Sequence, residues 1–159
     1  MWPKGKDLEG FTVNFTWGFY SGLGDWHGKI KGFDVRIQLY TVPGQVFYNA
    51  TRKLVLNGVD GIVFVVDSQR AMQDSNLESL QNLQENLAEL GLELTEVPMV
   101  MQFNKRDLPN ITTVEELNSY LNERGQYECR EAVAVNGTGV EETFQRITNL
   151  VMKGIAEKH

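Results

Sequence analysis

Two apolar segments, Ile62 to Val66 and Val97 to Phe103, constrain this chain more than anything else in it. In GIVFVVDS, Gly61 to Ser68, every position from Ile62 to Val66 is apolar. A strand with one face in water would alternate, so an unbroken run suits a strand covered on both faces, as in a parallel sheet. Between the two runs, Leu77, Leu80, Leu83, Leu87 and Leu90 fall on one helical stripe, and Gly91 supplies a stop signal. Such a stripe can serve as a partner-binding seam, but packing against the sheet accounts for it without any partner.

Two further segments alternate at period two: Phe11, Val13, Phe15, Trp17 and Phe19, then Phe33, Val35, Ile37 and Leu39. With the glycine-rich SGLGDWHGKIKG between them, they are expected to form an antiparallel hairpin with one apolar face. A helix is expected over Val46 to Asn57. Thr112 and Thr113, with Glu115 and Glu116 three residues on, fit a capping box that opens another helix. Glu131 to Val135 reads as a short strand. Val140 to Ala156, carrying Phe144, Ile147, Val151 and Ile155, reads as a closing helix. Strands alternate with helices, so the fold class is α/β with a mostly parallel sheet and helices on both faces. Residues 1–159 are expected to form a single domain, with no internal repeat or linker.

Composition excludes several functions. The net charge is −6 and no Lys/Arg block is present, so nucleic acid and bare membrane are not expected partners. A single cysteine, Cys129, forbids an internal disulfide and suits a reducing compartment. No apolar stretch approaches the roughly 18 residues of a membrane span. Trp2 stands where myristoylation needs glycine, and GIAEKH carries no prenylation cysteine, so no lipid anchor is expected. Asn14, Asn49, Asn110 and Asn136 open N-x-S/T triplets that carry no meaning without secretion. The expected location is cytoplasmic.

The chemistry begins at MVMQFNKRDLPN, where an apolar strand runs into Asn104-Lys105-Arg106-Asp107. N-K-x-D suits a guanine base. The Asp107 carboxylate can accept from both the ring N1–H and the exocyclic 2-amino group, two donors that adenine does not present together. Asn104 can bond the other edge of the base or tie neighbouring loops, and the Lys105 stem can lie along its face. A solvated loop after a strand would also carry four such residues at times. The carboxyl end of a strand, however, borders the crevice where α/β sheets bind ligands.

The second signal is YTVPGQVFYNATRK, Tyr40 to Lys53. An extended segment ends at Pro43-Gly44-Gln45 and turns into a helix. Gly44 lets a backbone N–H approach a terminal phosphate, and Gln45 is placed to orient an attacking water. A plain Pro-Gly turn between a strand and a helix would look the same in isolation.

Taken together, LYTVPGQVFYNATRKLVLNGVDGIVFVVDSQ and QFNKRDLPN resemble the Ras-like small GTPases, and specifically the bacterial gliding-motility, cell-polarity type (MglA-type), which carries T-x-P-G-Q. The resemblance runs from about Gly32 to the C-terminus. It implies a Ras-like three-layer fold, with GTP or GDP and Mg²⁺ as ligands and GTP hydrolysis as the activity. It implies that Gln45 positions water, that Gly44 contacts the γ-phosphate, and that Asn104, Lys105 and Asp107 read guanine. In EAVAVNGTGV, a backbone N–H near Ala134 would donate to the guanine carbonyl oxygen. Thr41 stands where an Asp would help hold Mg²⁺ through water, and a neutral hydroxyl cannot supply that charge. Thr16 or Thr12 would be the metal-side threonine of the preceding switch loop, and each also fits an ordinary strand. The implied partners are a roadblock-type GTPase-activating protein and polarity or motility effectors. Another branch, the Arf-like GTPases, shares a strand like GIVFVVDS.

The phosphate loop of such proteins, G-x-x-x-x-G-K-S/T between a strand and a helix, does not occur in the 159 residues. GLGDWHGKI, Gly22 to Ile30, has Leu23 where the first glycine should be and Ile30 where a hydroxyl should be. The expectation is that the loop, with its strand and first helix, lies upstream of Met1, and that nucleotide binding is weak or lost without it. The missing strand would sit between Phe33–Tyr40 and Ile62–Asp67. An alternative function is a pseudo-GTPase that survives as a protein-interaction module, although such a chain has no physical need of N-K-R-D and Gln45.

Overall fold

The computed structural model describes residues 23–30, 33–40 and 49–158. In chain order the elements are β1 (Leu23–Ile30), β2 (Phe33–Tyr40), α1 (Asn49–Leu56), β3 (Ile62–Asp67), α2 (Gln73–Glu89), β4 (Met99–Asn104), α3 (Val114–Leu121), β5 (Glu128–Glu131) and α4 (Val140–Lys158). β3, β4 and β5 form a parallel sheet in that order, and β1 and β2 form an antiparallel pair. α2 and α3 supply one face of the parallel sheet and α4 the other, as the α/β expectation required.

Period-two geometry sorts the side chains between the two faces. Ile62, Phe64 and Val66 of β3 and Met99, Met101 and Phe103 of β4 join Leu80, Leu83, Leu87, Leu117 and Leu121 in one core. Val100, on the opposite side of β4, packs with Phe144, Ile147 and Val151 of α4. Leu80, Leu83 and Leu87 are buried, so the leucine stripe packs on the sheet; Leu90, its last member, is exposed. Burying each such leucine contributes about 1.5–3 kcal/mol. Gly61 lets α4 approach the start of β3, since a Cβ there would lie 2.5 Å from a methyl of Val151.

The hairpin is present with its second arm, β2, where expected, but its first arm differs. The glycine-rich stretch read as a connection is itself β1, paired residue by residue with β2 from Leu23↔Tyr40 to Ile30↔Phe33. Glycines at 24 and 28 hid its alternation, and only two residues of sequence separate the strands, the spacing of the shortest hairpins. Phe11 to Phe19 lies outside the described residues. Gly28 and Lys29 sit opposite Val35 and Asp34 in a strand ladder, so GLGDWHGKI is not a phosphate loop here.

A second boundary also moves. The strand after α3 is Glu128–Glu131, in register with Val100 to Phe103, whereas Ala134–Asn136 forms a single 3-10 turn. Gly137 (φ 83°) and Gly139 (φ 76°) take left-handed backbone and turn the chain into α4. β2 and β3 are not hydrogen-bonded to each other among the described residues. Yet Ile37 and Leu39 of β2 and Val63 of β3 share the cluster on α4. Val63 and Val65 are only half-buried, so β3 is an open edge among the described residues.

Candidate guanine-binding site

The site is built at the carboxyl ends of β3 and β4, where Asp67 and Asn104 stand side by side as ladder partners. The two following loops are stitched together. Ser68 N–H donates to Asn104 O (3.2 Å), Thr112 N–H to Ser68 O (2.7 Å) and Arg70 N–H to Asn110 O (3.2 Å). Gln69 and Ile111 add a β-bridge. These bonds hold the N-K-R-D loop against the parallel sheet.

Within that loop, Lys105 and Asn110 take left-handed backbone, with φ of 63° and 57°. Non-glycine residues pay for that conformation, and such strain clusters at functional sites. The turn sends the Lys105 ammonium to the Asp67 carboxylate at 2.8 Å. The same carboxylate, 2% exposed, accepts from Gln69 N–H (3.0 Å) and from the Gln69 side-chain amide (3.1 and 3.2 Å). Arg106, at the wildcard position, braces the loop from outside. It donates to the Thr112 carbonyl (2.7 Å) and to Glu131 (3.1 Å), and its own N–H donates to Ala132 O. Thr113 caps α3 in a reciprocal box with Glu116, and the hydrogen bond from the Thr113 backbone, then Arg70, holds the Glu116 carboxyl below its ordinary range.

The structure bonds Ala134 to Asn104, and Lys105 and Asp107 follow Asn104 in the same loop. The Ala134 N–H donates to Asn104 Oδ1 at 2.9 Å, joining the turn after β5 to the end of β4. The N–H expected to serve a guanine carbonyl thus donates to the Asn104 side chain. Asp107 is exposed, with no hydrogen bond or ion pair of its side chain among the described residues. A carboxylate that is not engaged within the protein can accept from two neighbouring N–H groups of a planar base. Asp67, Gln69, Asn76 and Arg106 were not singled out from the sequence. The signal for Asp67 was a charged residue ending a wholly apolar strand; the others carry none.

Thr41, Gly44 and Gln45, and both Thr16 and Thr12, lie outside the described residues. Among the described residues there is no group of three His, Cys, Asp or Glu able to hold a metal, and the Asp67 carboxylate is engaged by Gln69 and Lys105. Among the described residues, no helix is long and apolar enough to cross a membrane.

The profile of the ADP-ribosylation factor family matches residues 22–151. The mutual gliding-motility protein MglA of Myxococcus xanthus (strain DK1622) is 55% identical over 149 residues, covering 94% of this chain and 76% of that protein. The Ras-related protein rab-11.1 of Caenorhabditis elegans is 26% identical over 134 residues, covering 82% of this chain and 60% of that protein. The chain belongs to the ADP-ribosylation factor family of Ras-like GTPases, and within it to the gliding-motility type.

Proposed function

We propose that this chain carries the base-reading half of a gliding-motility GTPase switch: it recognises guanine through Asn104, Lys105, Asp107 and Ala134, and binds nucleotide weakly by itself. The bond from the Ala134 N–H to Asn104 Oδ1, at the root of the loop that carries an exposed and unengaged Asp107, carries the reading. Asp107 accepts from the base N1–H and 2-amino groups. With Asn104 Oδ1 engaged, its amide NH₂ is the group left to face the base, and the Ala134 N–H serves the guanine carbonyl by sharing or changing acceptor. Three or four such bonds at about 1 kcal/mol net each give about 3–4 kcal/mol, near millimolar affinity. Phosphate-cradling amides would add charge-assisted bonds of about 1.5–3 kcal/mol each, and the 159 residues contain no glycine-rich loop of the required pattern.

In the same reading Gln45 orients the attacking water, Gly44 meets the γ-phosphate, and the segment from Thr41 through α1 signals to effectors and to a roadblock-type activating protein. T-x-P-G-Q and the 55% identity to MglA support this part. Hydrolysis belongs to the nucleotide-loaded switch in the cytoplasm.

The test is an amide-shift titration of the chain with GMP and AMP, alongside a fluorescent-GDP titration. GMP is expected to move the amides of Asn104 to Asp107 and Val133 to Val135 with a millimolar midpoint, AMP to leave them unchanged, and GDP to show no submicromolar binding. Equal responses to the two monophosphates would remove the guanine assignment; nanomolar GDP binding would remove the claim of weakness.

A further inference from the structure

We infer that Asp67 is a positioning residue of the base site, acting through Lys105. The inference rests on the guanine reading above and names a residue outside the N-K-R-D set. Asp67 ends β3, the strand beside the one that delivers the loop, and its side chain is 2% exposed. A carboxylate that deep must be paired. Its two oxygens are filled by three groups: the Gln69 N–H, the Gln69 side-chain amide and the Lys105 ammonium.

The carboxylate is held toward Lys105 by its burial and by the Gln69 N–H and side-chain amide, and the backbone beneath it is clamped as well. Asn76, itself buried, accepts from the Asp67 N–H (3.1 Å) and donates to the Asp67 carbonyl (2.8 Å). At the other end, the left-handed backbone of Lys105 fixes where its side chain starts. With both ends fixed, the lysine methylenes span from the loop after β4 to the end of β3, across the crevice at the carboxyl ends of the strands. A stem stretched in this way offers a preformed apolar surface for the face of a base. An unanchored lysine would first have to surrender its rotamer freedom. Tying the ammonium to Asp67 also keeps that charge off the base, whose recognition is left to the carboxylate of Asp107.

The test uses the full chain. In the wild type, the Lys105 ammonium is expected to give a resolved, exchange-protected nitrogen–proton signal, with and without GMP; its absence overturns the pairing without any variant. Asp67→Asn is expected to erase that signal and weaken GMP binding about fivefold, with AMP still unbound. Lys105→Met should weaken GMP by its own amount, and adding Asp67→Asn in that background should change nothing further. A merely structural Asp67 would lower GMP affinity equally in both backgrounds, which overturns the inference, as does an Asp67→Asn chain that binds GMP like the wild type. A wild type that keeps the ammonium signal and ignores GMP condemns the guanine reading, and this role with it, while leaving the ion pair standing.

Discussion

The backbone N–H of Ala134 donates to Asn104 Oδ1 at 2.9 Å, so the turn after β5 and the end of β4 are joined through the side chain proposed to read the base. Structure and recognition therefore meet in one amide group. Its oxygen satisfies a backbone donor, and its nitrogen is the group proposed to face the base.

Asn104→Ala removes both halves of that arrangement. The Ala134 N–H, half-buried, is left without its acceptor, which costs about 1–2 kcal/mol and lowers the melting temperature. Asn104→Asp keeps an acceptor and is expected to hold stability to within about 0.5 kcal/mol while losing the donor. GMP-induced shifts should vanish in both variants. Equal stability of the alanine and aspartate variants would show that the Ala134 bond contributes nothing.

Gly139 carries the entry into α4. A Cβ there would stand 2.1 Å from the Glu131 carbonyl oxygen, and the backbone has φ +76°. Backbone cannot yield as a side chain can, so Gly139→Ala is expected to cost about 2–4 kcal/mol in urea unfolding. Gly125, also left-handed but with open space around it, should cost about 1 kcal/mol when changed to alanine. Similar losses at the two sites would contradict the close approach at Gly139.

The start of β5 is tied to α4 by paired bonds from the Arg146 guanidinium to Glu128. Hydrogen bonding from Arg146 holds the Glu128 carboxyl below its ordinary value of 4.5, against a smaller opposing effect of burial, with the charges of Arg146 and Arg130 adding to it. The folded-state value is the lower of the two, so this contribution is complete above that ordinary value and disappears as pH falls through the depressed one. Because both side chains are more than a third exposed, solvent screening reduces the pair to about 0.5 kcal/mol. Glu128→Gln should therefore melt slightly below the wild type at neutral pH. The gap should close well below pH 4.5, and a gap that widens on acidification would contradict this sign.

Much of this molecule was legible in its residues because periodicity reports burial directly. The unbroken run at Ile62 to Val66, the leucines from Leu80 to Leu87 and the Thr113 capping box each fell where the physics of one element decides the outcome. β1 was missed because its glycines replace the apolar face that would have marked it, and only pairing with β2 makes it a strand. The turn at Ala134 was read as strand because valine-rich composition there favours extension, whereas Gly137 and Gly139 decide the path. At the site, the N-K-R-D loop could be found from its spacing. The anchoring of Lys105 by Asp67 could not, since it joins residues 38 apart through a register that only the folded sheet defines.

Asp107 gives the most direct test of base recognition, because its replacement should redirect specificity rather than merely reduce affinity. An amide at that position can donate to the 2-carbonyl of xanthine but no longer accepts both guanine donors. In paired amide-shift titrations, the wild type is expected to prefer GMP over XMP, and Asp107→Asn to prefer XMP by about tenfold. An unchanged order of preference in the variant would contradict guanine reading by this site.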